Sequence, residues 1–124
     1  MNQKRPINLD LVTMKFPPMA IASLLHRISG LLLFILLPFM LYLLSLSLKS
    51  LESFTELQLL LTSPFYKLAL WVFSAAVIYH LLAGIRHMIM DLGYGESLNA
   101  GRQTAIFVIS LSIIITIFLG IWLW

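Results

Sequence analysis

The hydrophobic residues of this chain are concentrated in three long stretches without Asp, Glu, Lys or Arg, which cover 28–48, 68–85 and 103–124. A helix needs about 20 apolar residues, at ~1.5 Å each, to cross a hydrocarbon core of ~30 Å. Each stretch therefore predicts a membrane-spanning helix. With their flanks, we place the three spans at about 21–48, 64–90 and 103–124.

The polar segments between the spans are short. Lys49–Lys67 and Arg86–Arg102 are too short to form a domain, and we interpret them as loops with frayed helix ends. Residues 1–124 therefore predict an all-α membrane protein with one membrane-anchor domain and three transmembrane helices.

The N-terminal segment, residues 1–20, is predicted to remain outside the hydrocarbon. Phe16-Pro17-Pro18 stops any helix arriving from the N-terminus, so Arg5 to Lys15 predicts an extended or irregular segment. Lys4 and Arg5 ahead of an apolar run are also typical of a signal peptide. That run is too long for one, and no small-residue cleavage pattern follows it, so we expect it to be retained as the first span.

Composition narrows the function classes. A chain that is 60% hydrophobic and 10% charged, with a mean hydropathy of +0.98, is unlike a soluble globular domain. The absence of cysteine excludes structural disulfides and thiolate-bound iron–sulfur clusters within this chain. The net charge of +3 comes from scattered basic residues without a Lys/Arg run, so we expect no nucleic-acid partner.

The Lys and Arg residues also predict the orientation, because cytoplasmic flanks retain positive charge during membrane insertion. The N-terminus and the second loop are predicted to be cytoplasmic and the C-terminus external. Trp122 and Trp124 suit an aromatic belt at the outer interface. In a three-span chain, one side carries Lys4, Arg5, Lys15, Arg27, Arg86 and Arg102, and the other carries Lys49 and Lys67.

Polar residues at the cytoplasmic end of the first span are candidates for ligand binding. Ser23 and Arg27 are four residues apart and therefore share one helix face, with His26 beside Arg27. Arg27 is also explained as a snorkelling interface anchor. Alternatively, a hydroxyl and a guanidinium on one face can hold a carbonyl or carboxylate at the membrane boundary, and both explanations stay open at this point.

His80 lies within the second span, six residues before Arg86 and so roughly 9 Å deeper than that charge. Ala76, His80, Gly84 and His87 form a narrow stripe of small residues and imidazoles on one face. Such a stripe is typical of helix–helix packing, with His80 bonded to a neighbouring helix. It also suits an axial haem ligand, because small neighbours let a porphyrin approach the backbone.

Longer motifs carry a family resemblance over nearly the whole chain, from Arg5 to Trp124. In motif order and spacing, the chain resembles the cytochrome b subunit of bacterial succinate dehydrogenase. The residues that carry the resemblance are Arg5-Pro-Ile-Asn-Leu-Asp-Leu, Phe16-Pro17, Ile21-Ala-Ser-Leu-Leu-His-Arg-Ile-Ser-Gly30 and His80-Leu-Leu-Ala-Gly-Ile-Arg-His-Met-Ile-Met-Asp91.

The resemblance implies a multi-pass anchor of respiratory complex II in the bacterial inner membrane, forming part of a hetero-oligomeric helix bundle. Such a subunit lies outside the catalytic core and pairs with a second hydrophobic anchor. A flavoprotein and an iron–sulfur subunit dock on the cytoplasmic face. Succinate is oxidised at the flavin, and electrons pass through iron–sulfur clusters to reduce ubiquinone at the anchor. The lack of cysteine agrees with the clusters belonging to another subunit.

The resemblance also implies roles for particular residues. His80 supplies one axial ligand of haem b, and a histidine of the second anchor supplies the other. The haem pocket and propionates are expected to involve His26, Arg27 and His87, with Gly84 admitting the ring. Ser23 and Arg27 are predicted to form this chain's part of the quinone site.

Proton uptake from the cytoplasm is predicted at Arg86 and Asp91. The alternative for these two residues is a structural salt bridge between the helix end and the loop.

Three alternative functions remain. A quinol:fumarate reductase anchor differs in the preferred direction of the same reaction. A non-redox packing or assembly subunit would use His80 and Arg27 only to bind partner helices. An absorption spectrum of the purified complex separates this case from a haem-binding anchor. A proton-conducting subunit around His80, His87 and Asp91 is disfavoured, because proton relays need a chain of ionisable residues across the membrane.

Overall fold

The computed structural model describes residues 10, 12 and 14–124, and all regular structure within them is helical. The three long helices are apolar enough to cross a membrane. They confirm the predicted all-α architecture with three spans. The helices are α1 (Pro18–Lys49), α2 (Leu51–Leu60), α3 (Pro64–Asp91) and α4 (Leu98–Leu123).

Proline and serine set the starts of the long helices. Helix α1 begins at Pro18 and α3 at Pro64, in the first turn, where the missing N–H of proline costs no hydrogen bond. At the start of α4, the hydroxyl of Ser97 accepts the backbone N–H of Ala100 at 3.3 Å. Residues 14–17 are non-helical, in agreement with the predicted stop, and the rest of the predicted irregular segment falls mostly outside the described residues.

Helix α2 corrects the interpretation of the first polar segment as a loop with frayed helix ends. Ser50 and Ser53 form a reciprocal capping box, in which each hydroxyl accepts the other residue's backbone N–H, at 3.1 and 3.0 Å. The Ser53 hydroxyl also donates to the carbonyl of Leu46 in α1 at 2.9 Å. With Ser53 and Leu57 buried, α2 is a separate helix folded back against the end of α1.

The three long helices pack through small residues. Ala22 and Ala83 are 1% exposed and Ala105 is 0% exposed, whereas large apolar side chains cover the outside of the bundle. Lipid tails are as apolar as leucine, so transmembrane helices associate mainly through close packing and interhelical hydrogen bonds. The hydroxyl of Tyr79 in α3 donates such a bond to the Ala22 carbonyl of α1 at 2.8 Å. Side chains of α3 also donate interhelical hydrogen bonds to α4.

The start of α1, the end of α3 and the start of α4 meet at one end of the bundle, which we call the α3–α4 end. The opposite end holds α2 and the C-terminus, where Trp124 packs edge-on against Trp71. The basic residues that the structure describes are therefore divided between the two ends of the bundle as the sequence predicts. Lys15, Arg27, Arg86 and Arg102 lie towards the α3–α4 end, and Lys49 and Lys67 lie towards the other.

Candidate functional site

A cluster of three histidines joins α1 to α3 near the α3–α4 end. The rings of His26 and His80 stack with their centroids 4.1 Å apart and an interplanar angle of 12°. The ring of His87 is tilted by 55° against His26 at 5.2 Å. The structure thus brings together all three histidines that the sequence analysis placed at the haem pocket.

One ring nitrogen of His80 is held by α1. Its Nδ1 lies 3.0 Å from the Ser29 hydroxyl oxygen and 3.2 Å from the His26 carbonyl oxygen. Within the described part of the chain, the other nitrogen, Nε2, makes no hydrogen bond. The imidazole is therefore fixed through one nitrogen and leaves the other available to a ligand.

Glycine lets the ring of His80 approach α1 closely. A Cβ atom on Gly30 would lie 3.1 Å from Cε1 of His80, which is closer than most real contacts. A Cβ on Gly84, which the sequence analysis expects to admit the haem ring, would lie at an ordinary 3.5 Å from Nε2 of His26. Gly84 therefore faces His26, and the tight approach to His80 is at Gly30.

Sequence reasoning assigned no role to Ser29 and Gly30. A signal for them existed, because they follow His26 at i+3 and i+4 and so lie on its helix face. Only the packing of α3 against that face shows that they contact His80.

The Nε2 atom of His26 is buried and has no hydrogen-bond partner among the described residues. Burying a polar nitrogen without a partner costs about 1–3 kcal/mol, so such atoms in native proteins commonly mark a ligand or an unseen partner. The unpaired nitrogen lies beside His80 and His87, where a ligand carboxylate or carbonyl could accept a hydrogen bond from it.

Ser23 and Arg27 share the face of α1 that the sequence predicts. Arg27 is exposed and Ser23 is half-buried. Neither side chain makes a hydrogen bond or ion pair within the described residues. In contrast, the hydroxyls of Ser29, Ser45 and Ser47 in the same helix donate to backbone carbonyls three residues back. The Ser23 hydroxyl is therefore free to bond a ligand.

The alternative of a salt bridge between Arg86 and Asp91 is wrong, because the described residues contain no such ion pair. Arg86 is 6% exposed and donates from Nε to the Thr104 hydroxyl at 3.1 Å and from Nη2 to the Gly101 carbonyl at 3.0 Å. It fastens α3 to α4, because the two residues that accept its hydrogen bonds both belong to α4. Asp91 is exposed at the last position of α3.

Comparison with known proteins gives a consistent family. Residues 1–119 match the family described as succinate dehydrogenase/fumarate reductase transmembrane subunit. The chain is 51% identical to the succinate dehydrogenase cytochrome b556 subunit of Coxiella burnetii, over 100% of both chains. It is 35% identical to the cytochrome b556 subunit of Rickettsia typhi, over 95% of this chain and 92% of the relative.

A cytochrome b560 subunit appears among the relatives as well. The succinate dehydrogenase cytochrome b560 subunit of Reclinomonas americana is 30% identical over 94% of this chain and 85% of the relative. These matches confirm the resemblance drawn from the motifs around His26 and His80. The chain belongs to the succinate dehydrogenase/fumarate reductase transmembrane subunit family.

Proposed function

We propose that this chain is the haem-bearing membrane anchor of a succinate:quinone oxidoreductase, in which it co-ligates haem b and contributes to the site of ubiquinone reduction. The observation that carries the proposal is the geometry of His80, whose Nδ1 is anchored to α1 while Nε2 is free. The names of the relatives, cytochromes b of succinate dehydrogenase, support the same assignment.

The residues present fit a haem. Metal-bound histidines usually donate their second ring N–H to a backbone carbonyl, carboxylate or water, and His80 has both a carbonyl and a hydroxyl oxygen beside Nδ1. The glycine at position 30 allows α1 to lie against that ring. His80 of this chain and a histidine of another anchor subunit would together hold the haem iron.

In the proposed site, His80 binds the iron through Nε2 as a neutral imidazole. A bound haem b supplies one-electron storage next to the route by which electrons reach the quinone. His26, with its unpaired buried Nε2, and the neighbouring His87 and Arg27 are proposed to bind the propionate carboxylates. Gly84, which packs against His26, keeps that ring close to α3.

The proposed quinone site uses the free side chains of α1. The Ser23 hydroxyl donates a hydrogen bond that orients a quinone carbonyl. Arg27, always charged, stabilises the negative charge that develops on the quinone oxygen in a partly dehydrated site. Both residues lie near the α3–α4 end, where a lipid-soluble quinone can enter laterally from the membrane.

The remaining features of the proposal concern the assembly. We place the α3–α4 end in the cytoplasm of a bacterium, with the protein in the inner membrane, because that end carries most of the Lys and Arg residues. The iron–sulfur and flavoprotein subunits dock there, and the second anchor packs alongside. Asp91, exposed at that end, is proposed to take up protons, and Arg86 holds the helix end that carries it.

The test is an absorption spectrum of the purified complex carrying His80→Leu, with His87→Leu, about two turns away on the same helix, as the comparison. We expect the reduced b-type band to be lost or reshaped in the His80 variant and to persist in the His87 variant. An unchanged low-spin spectrum in the His80 variant would defeat the assignment. A haem-free complex with full activity would instead favour the packing subunit.

Quinol:fumarate reduction is the second candidate function, because the matching family description includes fumarate reductase. The two candidates share the proposed haem and quinone sites and differ in the favoured direction. Rates of succinate oxidation by ubiquinone and of fumarate reduction by a quinol, measured on one purified complex, distinguish them.

A further inference from the structure

We infer that Ser29 is the positioning residue of His80: its hydroxyl oxygen accepts the Nδ1–H of the imidazole, which fixes Nε2 as the metal-binding atom and increases its electron donation. The inference rests on the proposed role of His80 as a haem ligand. It assigns a role to Ser29, a buried residue that is part neither of the proposed quinone site at Ser23 and Arg27 nor of the proposed iron ligands.

The direction of the hydrogen bond follows from counting protons. The Ser29 hydroxyl donates its single hydrogen to the His26 carbonyl oxygen at 2.7 Å. Its contact with Nδ1 of His80, at 3.0 Å, therefore needs a hydrogen from the imidazole. Nδ1 carries that hydrogen, so in the neutral ring the lone pair is on Nε2.

The main acceptor of the Nδ1–H of His80 is the Ser29 hydroxyl oxygen rather than the His26 carbonyl oxygen. The His26 carbonyl already accepts the helical N–H four residues on and the Ser29 hydroxyl, which together occupy its two lone pairs. Its contact with Nδ1 is also longer, at 3.2 Å. Ser29 is 5% exposed, so its replacement leaves little room for water to take over the bond.

The ring is held in this position by contacts on both sides. Gly30 lies so close that a Cβ there would come within 3.1 Å of Cε1 and 3.6 Å of Nδ1 of His80. His26 stacks on the imidazole at 4.1 Å. The ring therefore has little freedom to rotate away from the Ser29 oxygen, which explains how a single hydroxyl can determine the tautomer.

The expected consequence is electronic. An imidazole that donates its N–H to an acceptor is a more basic ligand, and a more basic ligand stabilises oxidised iron. Outer-shell partners of metal-bound histidines typically contribute about 10–100-fold in affinity for the metal. Removing the Ser29 hydroxyl should therefore raise the midpoint potential of the haem and weaken its retention, without removing the ligand itself.

The experiment compares Ser29→Ala with Ser45→Ala in the purified complex. Ser45 is a matched control because its hydroxyl makes the same type of bond, to the carbonyl three residues back in α1, but contacts no histidine. We expect Ser29→Ala to raise the midpoint potential, shift the low-spin electron paramagnetic resonance signal and speed haem transfer to an apoglobin about 10-fold. Ser45→Ala should leave all three unchanged.

Two further variants separate positioning from general packing. Ser29→Thr keeps a hydroxyl that can bond the same carbonyl, and it should restore the potential and the resonance signal. Gly30→Ala, whose new methyl group displaces the ring from the Ser29 oxygen, should shift both in the same direction as Ser29→Ala.

The outcomes also separate this inference from the proposed function. If His80→Leu abolishes the b-type band while Ser29→Ala keeps the potential, signal and haem retention of Ser45→Ala, the role of Ser29 is refuted and the ligand assignment stands. If the b-type band survives in His80→Leu, the proposed function fails first, and the role of Ser29 fails with it.

Discussion

Replacing Ser23 with alanine is a direct test of the proposed quinone site. Because the Ser23 hydroxyl makes no hydrogen bond within the described residues, the change breaks no hydrogen bond in that part of the chain. Alanine also has the highest helix propensity, so α1 should not be weakened. A functional effect of Ser23→Ala then indicates a bond to a group outside the described part of the chain, which makes the variant informative.

The magnitude follows from the chemistry of one hydrogen bond. A lost hydrogen bond to the reacting quinone is worth ~1.5 kcal/mol, and 1.36 kcal/mol corresponds to tenfold in rate. We therefore expect quinone reductase turnover to fall about 10-fold or more. Haem content and succinate oxidation by an artificial acceptor should remain unchanged, because neither depends on the Ser23 hydroxyl.

The assay measures succinate-dependent ubiquinone reduction and the affinity for a quinone-site inhibitor in Ser23→Ala and in Ser47→Ala. Ser47 lies in the same helix towards the opposite end, and its hydroxyl is bonded to the Leu44 carbonyl. If turnover and inhibitor affinity of the Ser23 variant equal those of the Ser47 variant, Ser23 is only a polar residue near the helix start. The quinone would then be held by the partner subunits.

Two other predictions test the bundle. Arg86→Leu removes both hydrogen bonds to α4, and since interhelical bonds in membranes average about 0.6 kcal/mol, we expect a loss of about 1–2 kcal/mol in the stability of the complex in a detergent unfolding titration. Thr104→Val should cost about half as much, and a variant as stable as the unmodified complex would contradict the fastening role. Reporter fusions test the orientation: alkaline phosphatase should be inactive after Arg102 and active after Lys49, and the opposite pattern would reverse the proposed topology.

The three spans were predictable from the sequence because spanning a membrane depends on length and on the absence of charge, which are both local properties. The starts of α1 and α3 followed for a similar reason, since Pro18 and Pro64 fix the backbone wherever they occur. His80 was identified as a ligand candidate through its depth and its motif. Helix α2 was missed, because its cap at Ser50 and Ser53 depends on two hydroxyls that read as part of a polar loop.

The contacts between helices were decided only by the tertiary structure. Each long helix is apolar almost all round, so the sequence pattern does not determine which face meets a neighbour. For this reason the close contact of Gly30 with the His80 ring was not predicted, and Arg86 was considered as a partner of Asp91 although it bonds to α4. The contact between Ser29 and His80 joins residues 51 positions apart. It exists because small residues such as Ala22 and Ala83 let the helices approach closely enough to set their rotation.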